Sequence, residues 1–420
     1  MPAADAARPQ PFRGRWKRLL VFLAVAGPGI ITSNVDNDAG GIATYSMAGS
    51  QFGYTLLWSL LPIMVALIIV QEMSARMGVV TGKGLSDLIR ERFGVKITVA
   101  LLAGLVVTNF GNVIAEFAGI ASSLELFHVP KYVSVPLGAI LVWLLAVKGT
   151  YKSVEKIFLY ACVIYVTYIL AGFLAKPDWG VIGRSLVTPS LPVSTGGLAM
   201  VIGLVGTTIA PWMQFYLQSA IVEKNVAVKD YKLSRLDVIV GSFVVTIVAG
   251  FIVLTCAATL FQNGIRVETA ADAAQALAPL AGKYCAALFA FGLLNASLFA
   301  ASILPLSTAF VVCEAMGWEN GVDKTFSEAP QFYGLYTALI FAGAAIVLVP
   351  RLPLFPVMYI SQVVNGMVLP VILIFMVRLV NNKKIMGEHA NSRGYNIVVW
   401  ATVAVLLALT VAYLAGLIFG

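Results

Sequence analysis

Apolar runs long enough to cross a bilayer recur along the chain, separated by short polar stretches. A spanning helix needs about 20 mostly apolar residues. Eleven stretches qualify, at 19–49, 54–77, 97–126, 131–148, 154–175, 195–222, 236–261, 282–314, 331–349, 353–379 and 396–418. The pattern predicts an all-α polytopic membrane protein with short connections and no inserted water-soluble domain.

Polar groups inside a span are costly, so their positions single out candidate functional residues. The first span is interrupted by "SNVDNDAGG", which carries Asn34, Asp36, Asn37 and Asp38 followed by Gly40 and Gly41. The third holds Asn109, Asn112, Glu116 and Ser123, at a spacing that keeps all four on one helical face. The sixth places Gly206, Thr207, Thr208, Pro211 and Gln214 in mid-span, and a proline there frees a backbone carbonyl and breaks the helix. The tenth carries Ser361, Gln362 and Asn365. Two broken helices in corresponding positions predict a transporter built from two inverted five-helix repeats. Unwound backbone survives at membrane depth only where protein or a wet cavity satisfies it, and freed carbonyls attract cations. With the charge of Asp38, the first break reads as half of a cation site.

Blander readings stand beside these. Gly40 and Gly41 could serve close helix packing, and Pro211 a simple kink. Asp36 could be a solvated charge at a cavity mouth, Glu116 a structural hydrogen-bonding residue, and Gln362 and Asn365 interhelical glue. Trp212 reads as packing or a cavity wall. Glu72, Arg76 and Asp87 read as interfacial or loop charges.

Composition narrows the class further. The chain is 60% hydrophobic and 11% charged, where soluble domains carry about 25% charged residues. Its net charge of +8 could suggest nucleic acid, but membrane topology explains it better. With the N-terminus in the cytoplasm, 22 of the 28 Lys and Arg fall on the cytoplasmic side. That asymmetry is the positive-inside rule, and an odd span count puts Gly420 outside. The start "RGRWKRLLVFLAVAG" imitates a signal peptide. It is expected to be retained as half of the first span. The four cysteines lack metal or disulfide spacing, and His128 and His389 lie in loops. No HExxH, nucleophile elbow or tandem Asp pair supports an intramembrane enzyme.

The residues also carry a family resemblance. "GPGIITSNVDNDAGGIATYSMAGSQFGYTLLW", "ARMGVVTGKGLSDLIRERFG", "FLAKPDW", "FAFGLL" and "SQVVNGMVLP" resemble, in order, segments of the Nramp family of divalent metal transporters. The resemblance covers nearly the whole chain. It implies the LeuT-type fold: a first repeat at 19–175 and a second at 195–380, after a basic cytoplasmic tail at 1–18. A cytoplasmic loop and an eleventh helix would follow at 381–420.

The site motifs depart from the family. The family's D-P-G-N is here Asp38-Ala39-Gly40-Gly41, and its M-P-H is Ala210-Pro211-Trp212. The aspartate that normally precedes the third-helix glutamate is Val113, and the ninth helix has no arginine pair. This pattern resembles the Nramp-related magnesium transporters. Loss of the thioether removes a soft ligand that favours transition metals. What remains is oxygen: the Asp38 carboxylate, backbone carbonyls near Thr207 and Ala210, and the amides of Gln214 and Gln362, beside the small Gly41. Hard cations prefer such a set, and Mg²⁺ usually keeps several waters. Glu116, Asp36, Asn112, Trp212 and Asn365 are expected to line a vestibule.

The expectation is therefore a plasma-membrane transporter with no cofactor and no obligate protein partner. It would import chiefly Mg²⁺, and also Mn²⁺, by alternating access without proton coupling. The alternative is a proton-coupled Mn²⁺/Fe²⁺ importer, in which Met213 would supply sulfur. An organic-solute carrier fits less well, because Asp38 would oppose a substrate carboxylate.

Overall fold

The computed structural model describes residues 35–147, 162–322 and 324–419. The tail at 1–18, Asn34, and the parts of the first, fourth and fifth spans at 19–34, 148 and 154–161 lie outside the described residues.

The described chain is helical. Its helices are α1 (Ala39–Phe52), α2 (Leu57–Thr81), α3 (Leu85–Phe93), α4 (Val95–Glu125), α5 (Lys131–Val147), α6 (Val166–Leu174), α7 (Trp179–Val187), α8 (Thr195–Thr208), α9 (Pro211–Glu223) and α10 (Tyr231–Thr259). After two short helices, Ala270–Ala274 and Ala278–Ala281, come α11 (Cys285–Met316), α12 (Pro330–Val347), α13 (Leu354–Val380), α14 (Lys383–Met386) and α15 (Arg393–Phe419). Among the described residues eight helical stretches are long and apolar enough to span, counting α8 and α9 as one. With two shorter apolar helices and the half-helix α1, they fall on all eleven predicted spans.

Both predicted breaks are present. Asp36 and Asn37 turn, and Asp38 is extended and caps the N-terminus of α1. Ile209 and Ala210 leave helical geometry between α8 and α9. Pro211 then opens α9 as its first residue, where its missing N–H costs nothing and its fixed φ suits a helix start.

The breaks lie in the middle of the molecule. The most apolar window of the α8–α9 stretch is wholly buried, whereas that of α15 is only 17% buried. α4 packs against α11 and α13, α13 against α8 and α1, and α10 against α1 and α2. Glycine permits the closest of these approaches. A Cβ on Gly206 of α8 would lie 2.0 Å from the Gln362 carbonyl of α13, and one on Gly366 of α13 would lie 2.3 Å from the Ile202 carbonyl of α8. Small residues at both positions let the backbones meet, which is how membrane helices gain packing without a hydrophobic drive.

Two charges depart from expectation. Glu72 and Arg76 are buried in the protein: they form an ion pair at 3.1 Å and are 1% and 7% exposed. The Arg76 guanidinium also donates to the His389 carbonyl at 2.9 Å and to Asn391 Oδ1 at 2.6 Å, while the Tyr231 hydroxyl donates to Glu72. A buried pair needs such extra partners to offset desolvation. Asp87 is half-buried in the first turn of α3, and burial pushes its carboxyl above the usual range.

Candidate metal site at the two helix breaks

Asp38 caps α1: its Oδ1 accepts the Gly41 N–H at 2.7 Å. The Glu116 carboxylate, on α4, reaches the same helix end and accepts the Ala39 N–H at 3.3 Å. The two carboxyls therefore face each other at one helix N-terminus, whose partial positive charge favours anions. Gly119, one turn further along α4, makes this approach possible, since a Cβ there would lie 2.5 Å from Ala39 Cβ.

The second break meets the first through Gly41. A Cβ on Gly41 would stand 2.4 Å from the Asp36 carbonyl and 3.3 Å from Thr207 Oγ1. Pro211 has no N–H, so the Thr207 carbonyl has no donor four residues on. The Ala210 carbonyl, by contrast, accepts the Met213 N–H at 3.2 Å. Tyr45 links the two halves further, its hydroxyl 2.8 Å from Thr208 Oγ1, and the Tyr165 hydroxyl donates to the Asn37 carbonyl at 2.9 Å. Neither tyrosine stands out in the sequence, because an aromatic in an apolar run looks like packing.

Several of the buried polar atoms without a partner lie at these breaks. They are both Asp36 carboxylate oxygens, Asn37 Oδ1, Glu116 Oε1, Thr207 Oγ1 and the Gln214 side-chain amide. Most buried polar groups are paired, so such a concentration calls for an explanation. Nearly all of these atoms are oxygens, the donors that divalent cations use. Among the described residues no group of three or more His, Cys, Asp and Glu is placed to hold a metal. A cation here would rely on Asp38, neutral oxygens and retained water.

The other expected residues divide. Gln362 lies against the site, its Nε2 only 1.8 Å from where a Gly40 Cβ would be. Its Oε1 already accepts from Asn365 at 2.9 Å, and Asn365 pairs with Asn112 at 2.9 Å. The amides thus join α4 to α13 as interhelical glue. Met213 is fully buried in the first turn of α9, and Trp212 packs at 6.0 Å from Tyr216.

The residues expected to line a vestibule are buried in this structure. A cavity of about 820 Å³ is lined by residues including Gln51, Glu125, Lys131, Glu268 and Arg351. Asp36, Glu116, Asn112, Trp212 and Asn365 do not line it and are all buried. In the fold, packing between α1, α4, α9 and α13 covers them instead.

The extended cap before α1 and the break between α8 and α9, packed among continuous helices, fit a LeuT-type fold. Residues 29–416 match the sequence profile "Nramp: Natural resistance-associated macrophage protein-like", and the chain belongs to that family. A "Divalent metal cation transporter MntH" of Ralstonia nicotianae is 33% identical, over 93% of this chain and 90% of its own. One from Bacillus subtilis is 28% identical over 95% and 92%. Among solved structures, an Eremococcus coleocola manganese transporter superposes with a TM-score of 0.76 at 20% identity, covering 99% of this chain and 90% of that one. The nucleobase-cation-symport-1 transporter Mhp1 follows the same fold at a TM-score of 0.56 and 13% identity, covering 94% of this chain and 90% of its own.

Proposed function

We propose that this chain imports divalent metal ions by alternating access, receiving them between the two helix breaks. The observation that carries this reading is the cluster of buried, unpartnered oxygens around Asp38. Asp38 would bind the ion or its water shell, with the Thr207 carbonyl and hydroxyl from the second break. Asp36 and Glu116 would add negative charge without completing an all-carboxylate cage. The repeats expected at 19–175 and 195–380 would supply the two halves that rock about this point.

The cargo and the coupling are finer matters. Relatives described as manganese or divalent metal cation transporters favour Mn²⁺ as cargo. A preference for Mg²⁺ rests on the donor set alone and draws no support from those relatives. The facing carboxyls of Asp38 and Glu116 favour the proton-coupled alternative over uncoupled entry. A divalent cation arriving beside two carboxyls stabilises their charged forms, so a proton held there would leave. Membrane potential would add roughly 2.3 kcal/mol per charge per 100 mV, about 4.6 for a divalent ion.

Proteoliposomes with luminal Mn²⁺, Mg²⁺ and pH reporters test both matters. Saturable Mn²⁺ entry with luminal acidification is expected. Asp38→Ala should lower entry at least tenfold, and Glu116→Gln should weaken acidification more than metal entry. Mg²⁺ entry that competes with Mn²⁺ and leaves luminal pH unchanged would restore the uncoupled magnesium reading. Full Mn²⁺ entry in Asp38→Ala would remove the site from the breaks.

A further inference from the structure

A second cavity, of about 620 Å³, lies on the face that carries the loops expected in the cytoplasm. It opens between the end of α3, the end of α13 and the start of α15. Arg92, Arg378 and Lys383 line it together with Phe93, Asn381 and Trp400, and among the described residues no acidic one does. Among the described residues none of the three cations forms an ion pair. The nearest acid in sequence, Glu91, is held by Lys83 at 2.5 Å.

The walls are fixed. Asn381 exchanges side-chain hydrogen bonds with Asn396 at 2.8 and 3.0 Å, tying the end of α13 to the start of α15. Phe93 meets Phe375 edge to face at 5.0 Å, tying α3 to α13. Asn382 caps α14 by accepting the Lys384 N–H at 3.0 Å, which sets where Lys383 stands.

The chemistry is two-sided. Three unpaired cations make one side attractive to an anion and hostile to a cation. The other side continues onto the apolar surface of α15, where Ile397, Trp400 and Val405 are exposed. Arginine pairs well with phosphate oxygens, and tryptophan favours the membrane–water boundary. Basic pockets between helix ends on this side of a membrane suit anionic head groups.

We propose that this cavity binds a phosphate-bearing anion, presented here as the head group of an anionic phospholipid. The phosphate would face Arg92, Arg378 and Lys383, and an acyl chain would run along α15.

Native mass spectrometry of the full chain, with added phosphatidylglycerol or phosphatidylcholine, tests this. Wild type is expected to retain phosphatidylglycerol in preference to phosphatidylcholine. The triple variant R92Q/R378Q/K383Q should retain it roughly a hundredfold less, at about 1 kcal/mol per cation. A charge-matched control on the opposite face, K176Q/R266Q/K283Q, should behave as wild type, which separates this cavity from general loss of charge. Displacement of the lipid by millimolar inorganic phosphate would keep the anion site and overturn a lipid source. Equal retention of phosphatidylglycerol by wild type and the triple variant, or equal retention of both lipids by wild type, would overturn the proposal.

Discussion

Gly40 and Gly41 are adjacent and both buried, yet they face different kinds of neighbour. A Cβ on Gly40 would collide with the tip of the Gln362 side chain, which can rotate aside at the cost of its own bonds. A Cβ on Gly41 would meet the Asp36 carbonyl at 2.4 Å, and that oxygen belongs to the turn that makes the break. Overpacking of this kind typically costs about 1–3 kcal/mol. Gly41→Ala is therefore expected to destabilise more than Gly40→Ala and to abolish metal uptake. Gly40→Ala should retain measurable uptake with a raised KM. Thermal unfolding in detergent and Mn²⁺ uptake on the same preparations check both. The reverse order would mean that the two breaks do not meet at Gly41.

At the scale of elements, the two breaks were legible because polar residues and glycine sit where a span should be apolar. Proline was a weaker guide than it looked. Pro62, Pro136, Pro305 and Pro370 all lie inside helices that continue past them. Pro211 differs because the residue before it, Ala210, is extended, the conformation proline favours in its predecessor. Pro211→Ala restores an N–H that could bond the Thr207 carbonyl and continue α8 into α9. The variant is expected to unfold at an equal or higher temperature than wild type but to lose most metal uptake. Unimpaired uptake would show that the freed carbonyl is not used. What the sequence hid was partnership. Glu72 and Arg76 look interfacial because their partners, Tyr231, His389 and Asn391, lie far away in the chain. Likewise nothing in the sequence shows that Asn112 and Asn365 bond to each other. Glu72→Ala would leave Arg76 buried and uncompensated, at about 3–5 kcal/mol. Glu72→Gln, which keeps an acceptor for Tyr231 and Arg76, should cost less. Melting of the two variants side by side checks the order.

At the scale of the whole molecule, the structure sorts the loops into two faces without reference to charge. One cavity gathers the end of α4, the start of α5 and the α12–α13 connection, marked by Glu125, Lys131 and Arg351. The opposite face gathers α3, the end of α13 and the start of α15. Those are the two groups of loops that alternate counting from a cytoplasmic N-terminus assigns to opposite sides. Their unequal content of Lys and Arg predicts which face is cytoplasmic, since basic loops remain cytoplasmic. If all eleven expected spans cross, the two ends of the chain lie on opposite sides. A tag fused after Gly420 is therefore expected to be cut by protease added to intact cells. A tag fused before Met1 should resist until the membrane is opened. Cleavage of the N-terminal tag alone would invert the orientation and turn import into export. Cleavage of both would mean an even number of spans, and so one assigned span that does not cross.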